Sequence, residues 1–165
     1  TVGGQAPPSS VYDDGVLYLE NRDTGDSVLL GNTRLAALER PVVPGTYDVL
    51  YVVEAAGPTM PINARSRLAT VDVSEASALA IDIPVAVLQG GITVGGEVPP
   101  QSAYNRAVLL LHDVATEDVV YLGATEQGGF ARTLTAGTYV LVYQALATTG
   151  LLPANTNAGL ACLEL

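Results

Sequence analysis

Gly45-Thr46-Tyr47-Asp48-Val49-Leu50-Tyr51 and Gly137-Thr138-Tyr139-Val140-Leu141-Val142-Tyr143 are two versions of one pattern. In each, a Gly-Thr turn feeds a run in which Tyr, an apolar residue and Tyr recur at every second position. A period of two belongs to a β-strand, not to a helix with its period of 3.6. The two stretches lie 92 residues apart (137 − 45), and that offset holds outward without a gap. Thr1-Val2-Gly3-Gly4-Gln5-Ala6-Pro7-Pro8 meets Thr93-Val94-Gly95-Gly96-Glu97-Val98-Pro99-Pro100. Tyr12 meets Tyr104, Leu17 and Leu19 meet Leu109 and Leu111, and Leu30-Gly31 meets Leu122-Gly123. Pro61 and Asn63 meet Pro153 and Asn155, and Leu68-Ala69 meets Leu160-Ala161. Two units with so long a period are expected to be complete domains in tandem, not turns of a solenoid.

Within a unit, residues 16–20 and 27–30 read as strands flanking the loop Asn21-Arg22-Asp23-Thr24-Gly25-Asp26. Residues 68–73 and 78–83 read as two more strands, with Pro84 closing the second. Helix signals are nearly absent; Ser74-Glu75-Ala76-Ser77 suits one helical turn at most. Many short strands with turn punctuation predict an all-β chain of two sandwiches, over residues 1–86 and 87–165. The second unit stops before a copy of residues 78–83, and the first has no copy of residues 85–92 ahead of Thr1. Each is therefore expected to be short of part of one edge, and an unpaired edge is a template for adding a strand. The start at Thr1 suits a processed form or a fragment of a longer array.

The charge balance excludes some partners. The net charge is −10, and all seven basic residues are Arg, scattered along the chain. No basic stripe exists for a phosphate backbone, so nucleic-acid binding is not expected. No apolar run approaches the roughly 18 residues of a membrane span. Cys162 is the one Cys and His112 the one His, so no internal disulfide and no Cys/His metal spacing is available. An acidic, Lys-free composition rich in Thr, Ser and Gly suits a secreted bacterial protein.

At Pro44-Gly45-Thr46-Tyr47 and at Thr125-x-x-Gly128-x-Phe130 followed by Ala136-Gly137-Thr138-Tyr139, the sequence resembles the carboxypeptidase-regulatory-like, or transthyretin-like, modules. These include the Cna B-type repeats of bacterial surface proteins. The resemblance covers both units and implies a Greek-key sandwich used as a stalk, spacer or adhesion module. Unit 1 departs from it at Thr33-Arg34-Leu35-Ala36-Ala37-Leu38, which has no glycine. The Lys–Asn crosslink carried by some Cna B-type modules is chemically impossible in a chain without Lys. The enzymatic branch, hydroxyisourate hydrolase, needs several His and a terminal Tyr-Arg-Gly-Ser, whereas this chain ends Cys162-Leu163-Glu164-Leu165.

Candidate chemistry is sparse. His112 alternates with Leu109 and Leu111 and is expected on the solvent side of its strand. Asp13-Asp14 is the densest carboxylate pair, but unit 2 has Asn105-Arg106 there. Asp23 and Asp26 bracket Gly25 in an acidic loop, the composition Ca²⁺ prefers, although the spacing fits no calcium-loop motif. They are the weak metal candidates; no cofactor is expected. Six of the eight Tyr are matched between units, as a shared packing role predicts. Tyr47, Tyr51, Tyr139 and Tyr143, with Gly45 and Gly137 at the turns, are read as structural. The unmatched Tyr18 and Tyr121 are the better surface candidates. Asp26/Asp118 and Arg40/Arg132, unchanged in both units, either pair across the sandwich or serve their own loops. Cys162 is read as a small, half-buried core or edge residue, with an intermolecular disulfide as the alternative. The chain is thus expected to be a non-enzymatic structural or adhesive segment at the cell surface, with self-association through β-edges. The alternative is a module that binds a protein or glycan through end loops; a small-molecule ligand is not expected.

Overall fold

The computed structural model describes residues 1–35, 37–74 and 78–165. The chain is all-β, and the described residues contain no α-helix. Strands β1 (Asp14–Asn21), β2 (Ser27–Asn32), β3 (Gly45–Ala55) and β4 (Ser66–Val73) form one antiparallel sheet in the order β2-β1-β3-β4. Strands β6 (Arg106–Asp113), β7 (Val119–Ala124), β9 (Thr138–Ala147) and β10 (Ala158–Glu164) form a second in the order β10-β9-β6-β7. The bounds of β1 and β6 differ by 92 residues (106 − 14), as do those of β2 and β7 (119 − 27). The same bulge recurs, between Leu17 and Tyr18 and between Leu109 and Leu110. β5 (Val85–Gly91) and β8 (Gly129–Thr135) make a two-stranded sheet, with the single 3₁₀ turn Thr125–Gln127 leading into β8.

The chain divides into two units, Thr1–Val85 with Thr133–Thr135, and Ala86–Arg132 with Ala136–Leu165. In unit 1 the inward face of the sheet is Leu17, Leu19, Leu30, Tyr47, Val49 and Tyr51, all buried, and Met60 and Ile83 close over them. The alternation in β1 and β3 is what aligns these side chains on one face. Leu109, Leu111, Leu122, Tyr139 and Tyr143 repeat that arrangement in unit 2.

Residues 78–83 do not form the strand their composition suggests. Their ladder is one parallel bridge, Val2 with Ile83, in which Ile83 N–H donates to Thr1 O and Gly3 N–H to Ile83 O, both at 2.9 Å. Gly3 and Gly4, at φ +53° and +75°, turn the partner segment away so that Val2 pairs back with Gln5. Pro84 has no N–H with which to extend the ladder. The helical turn suggested by Ser74-Glu75-Ala76-Ser77 falls on residues 75–77, outside the described residues.

Candidate functional site

The four strand tyrosines sit deep. Tyr51 is fully buried and its hydroxyl donates to Pro61 O at 2.7 Å; Tyr143 makes the same bond to Pro153 O at 2.8 Å. Tyr47 donates to Val43 O at 2.6 Å, and Tyr139 is fully buried. Burial pushes the phenol of Tyr51 far up, with further repulsion from Asp13 and Asp14, and burial raises that of Tyr143. Gly45 starts β3 opposite Val73. Gly137 holds the equivalent place before β9, exchanging two backbone bonds with Leu165.

Gly15 explains a difference between the units. A Cβ there would lie 2.3 Å from the Tyr51 ring and 2.9 Å from Val52 O. Unit 2 has Ala107 at this position, and Tyr143 is correspondingly less buried than Tyr51, at 7% against 0% exposure. Gly15→Ala is therefore expected to cost about 1–3 kcal/mol through overpacking. Urea unfolding measures this, and an unchanged midpoint would refute the ring contact.

The carboxylates at the head of β1 are fully engaged. Asp13 accepts the N–H groups of Thr59 and Met60 at 3.1 and 2.9 Å, so it caps the loop after β3. Asn105 does the same in unit 2, accepting from the N–H and hydroxyl of Thr149, both at 3.0 Å. Asp14, buried, accepts from Arg34 Nε at 2.5 Å, from the Thr33 hydroxyl at 2.9 Å and from the Gly15 N–H at 2.9 Å. Burial alone would raise its pKa. The Arg34, Thr33 and Gly15 bonds and the Arg34 charge outweigh that and hold it below the ordinary carboxylate value. In unit 2 the pair is inverted: Arg106 Nε lies 2.7 Å from Glu126 Oε1, at the positions of Asp14 and Arg34 plus 92 (14 + 92 and 34 + 92). These groups fix the ends of β1 and β6.

The loop at residues 21–26 is organised by Asn21, whose Oδ1 accepts the N–H groups of Asp23 and Thr24 at 2.9 and 3.1 Å. Asp23 is exposed, and Asp26 accepts from the Thr24 hydroxyl at 3.1 Å. Asp113 plays the Asn21 role in unit 2, accepting from Ala115 and Thr116. Among the described residues no three His, Cys, Asp or Glu converge as metal ligands. Arg40 Nε donates to Leu29 O at 3.2 Å and Arg132 Nε to Tyr121 O at 3.4 Å, so each Arg serves its own unit's hairpin strand.

Two readings of the sequence need correction. Tyr12 and Tyr104, matched between units, do not pack in the core: they are 81% and 75% exposed. Each sits in a turn whose Ser10 or Ser102 hydroxyl accepts its N–H, so the backbone of the turn, not burial of the ring, is what is shared. Cys162 lies on the edge strand β10, as its reading allowed, but it is exposed and not half-buried. Asn63 is fully buried, and its Oδ1 accepts the N–H of Thr135 at 2.8 Å inside unit 1, whereas Asn155 is exposed.

Unit 1 also contains a cavity of about 1410 Å³. Leu35 and Leu79 line it where it opens to solvent, and the sheet residues Leu17, Leu19 and Leu30 that border it are themselves buried. Its aliphatic lining residues read singly as ordinary core, so no one position signals it. No family model, curated protein or solved structure matches this chain.

Proposed function

We propose that the chain is a pair of Greek-key β-sandwich modules of the transthyretin-like kind, acting as a structural or adhesive segment of an extracellular bacterial protein. Assembly runs through β-strand addition at open sheet edges. The observation that carries this reading is the edge strand β10. It has a partner on one side only among the described residues, it contains no Pro, and Glu164 is its one charged residue. Leu160 on it is 56% exposed. Proteins that stay monomeric usually guard such edges with charge, Pro or a covering segment. The bulge between Gly159 and Ala161 is the only such device on β10.

The role is non-enzymatic. His112 is half-buried on β6 opposite Val119 and Val140, and the Asp13-Asp14 pair is consumed in capping and ion pairing. The acidic surface disfavours nucleic acid and anionic membranes alike. No helix among the described residues is long and apolar enough to cross a membrane.

Sedimentation velocity of the purified chain tests assembly. Species larger than a monomer are expected to grow with concentration. A single monomeric boundary across the whole range would refute self-assembly.

A further inference from the structure

We infer that β10 is a self-pairing edge: two copies of the chain join β10 to β10, antiparallel, with Cys162 on the two-fold axis. This rests on the strand-addition reading and names the partner as a second copy.

The distribution of charge selects that partner. None of residues 133–163 is charged, in a chain of net charge −10, whereas the equivalent residues 41–71 include Asp48, Glu54, Arg65 and Arg67. In unit 1 these charges guard the edge strand β4. The Thr70 hydroxyl donates to Asp48 at 2.6 Å, and Arg67 lies 3.7 Å from the same carboxylate. Unit 2 has Val140, Gly159 and Cys162 in place of Asp48, Arg67 and Thr70. At a two-fold interface each residue near the axis meets its own copy, so any charge there meets a like charge. An edge that pairs with itself must be neutral about its axis. An edge that receives a different strand can keep its charges and have them complemented.

The backbone of β10 is set for such pairing. Gly137 and Leu165 exchange both backbone bonds, at 3.1 and 2.9 Å, and β10 runs in constant register on β9 from there to Ala161. Bonded pairs alternate along an antiparallel ladder. Leu163 and Ala161 therefore bond to β9, and the N–H and C=O of Cys162 and Glu164 turn to the open side. Leu160, Ala161 and Cys162 are all exposed. In unit 1 the chain runs on past β4, and residues 78–83 bridge to Val2, so β4 stays at its sheet edge among the described residues.

Charge also sets the register. With Cys162 opposite its own copy, Glu164 falls opposite Leu160. The two Glu164 side chains are then separated by the length of strand from 160 to 164, about 13 Å, beyond the screening length of roughly 8 Å at physiological salt. Backbone bonds across the axis supply affinity, and the neutral side chains permit the approach.

Sedimentation velocity under reducing conditions tests this on the wild-type chain and on Cys162→Ser, Cys162→Asp and Cys162→Arg. The wild type and Cys162→Ser are expected to dimerise alike, because the contact is strand pairing and not a disulfide. Cys162→Asp and Cys162→Arg are each expected to weaken the dimer about tenfold or more, since each then sets a like charge against its own copy. Mixed one to one, the two charged variants are expected to dimerise again, which misfolded chains would not do. A mixture no more dimeric than its components would overturn the proposal. Charged variants that assemble as the wild type does would leave strand addition at another edge and refute the contact at β10. A wild type that stays monomeric would refute both.

Discussion

Tyr51→Ala is expected to destabilise unit 1 by about 3–5 kcal/mol, the range for a large aromatic removed from a packed core. Three features combine at this side chain. It is fully buried, its hydroxyl has a partner in Pro61 O, and its ring lies against the bare Cα of Gly15, where no other residue type fits. The cavity left by Ala is bounded by β-sheet backbone that cannot collapse into it. Since whole domains are stable by only about 5–15 kcal/mol, the variant's unit 1 will be close to unfolding at room temperature. Tyr51→Phe keeps the fold and isolates the hydroxyl, at about 1 kcal/mol. It also tests the raised pKa. The phenol is neutral in the fold, so its contribution is intact below the unfolded value of about 10 and is lost as pH rises above it. Urea midpoints taken between pH 8 and 11 should fall for the wild-type chain and fall less for Tyr51→Phe. Parallel curves would mean that the hydroxyl is solvated.

Arg34→Glu is expected to cost about 3 kcal/mol. That lies at the low end for a broken buried pair, because Arg34 is 36% exposed while Asp14 is 2% exposed. The variant strands the Asp14 carboxylate and adds a like charge. Asp14→Arg combined with Arg34→Glu copies the Arg106–Glu126 arrangement and should recover at least half of the loss. It will not recover all, since the Thr33 and Gly15 bonds to Asp14 vanish. A double variant as unstable as the sum of the singles would show that the two sites do not interact. The pH dependence follows from the depressed carboxyl. Its stabilisation is present above the unfolded pKa of about 3.9 and is lost as pH falls through the lower folded value. The acid limb of the unfolding midpoint should therefore flatten in Asp14→Asn.

Strand positions were legible because two copies in register report the same period twice. The alternation Tyr47, Val49, Tyr51 marked a buried face, and β3 presents it. Pairing partners were not legible. Residues 78–83 have strand composition, but a strand also needs a neighbour, and Gly3 and Gly4 bend that neighbour away after one bridge. Repetition also misled at Tyr12 and Tyr104, where the turn is what recurs and the rings stand in solvent. The Asp14–Arg34 pair had a signal that single positions hid: both members change sign together between the units. The cavity had none, because a void is a property of what lies beside a residue and not of the residue.

The inverted ion pairs also bear on how the chain reaches its fold. Neighbouring copies of one sequence are prone to trade segments while folding, since each strand meets a near-duplicate of its proper partner. If β1 took up the turn that belongs with β6, Asp14 would face Glu126; in the reverse exchange, Arg106 would face Arg34. Both errors set like charges against each other, so the opposite polarity disfavours exchange between the copies. It discriminates self from neighbour at the moment the hairpins close, a task that the matched apolar residues of the two cores cannot perform.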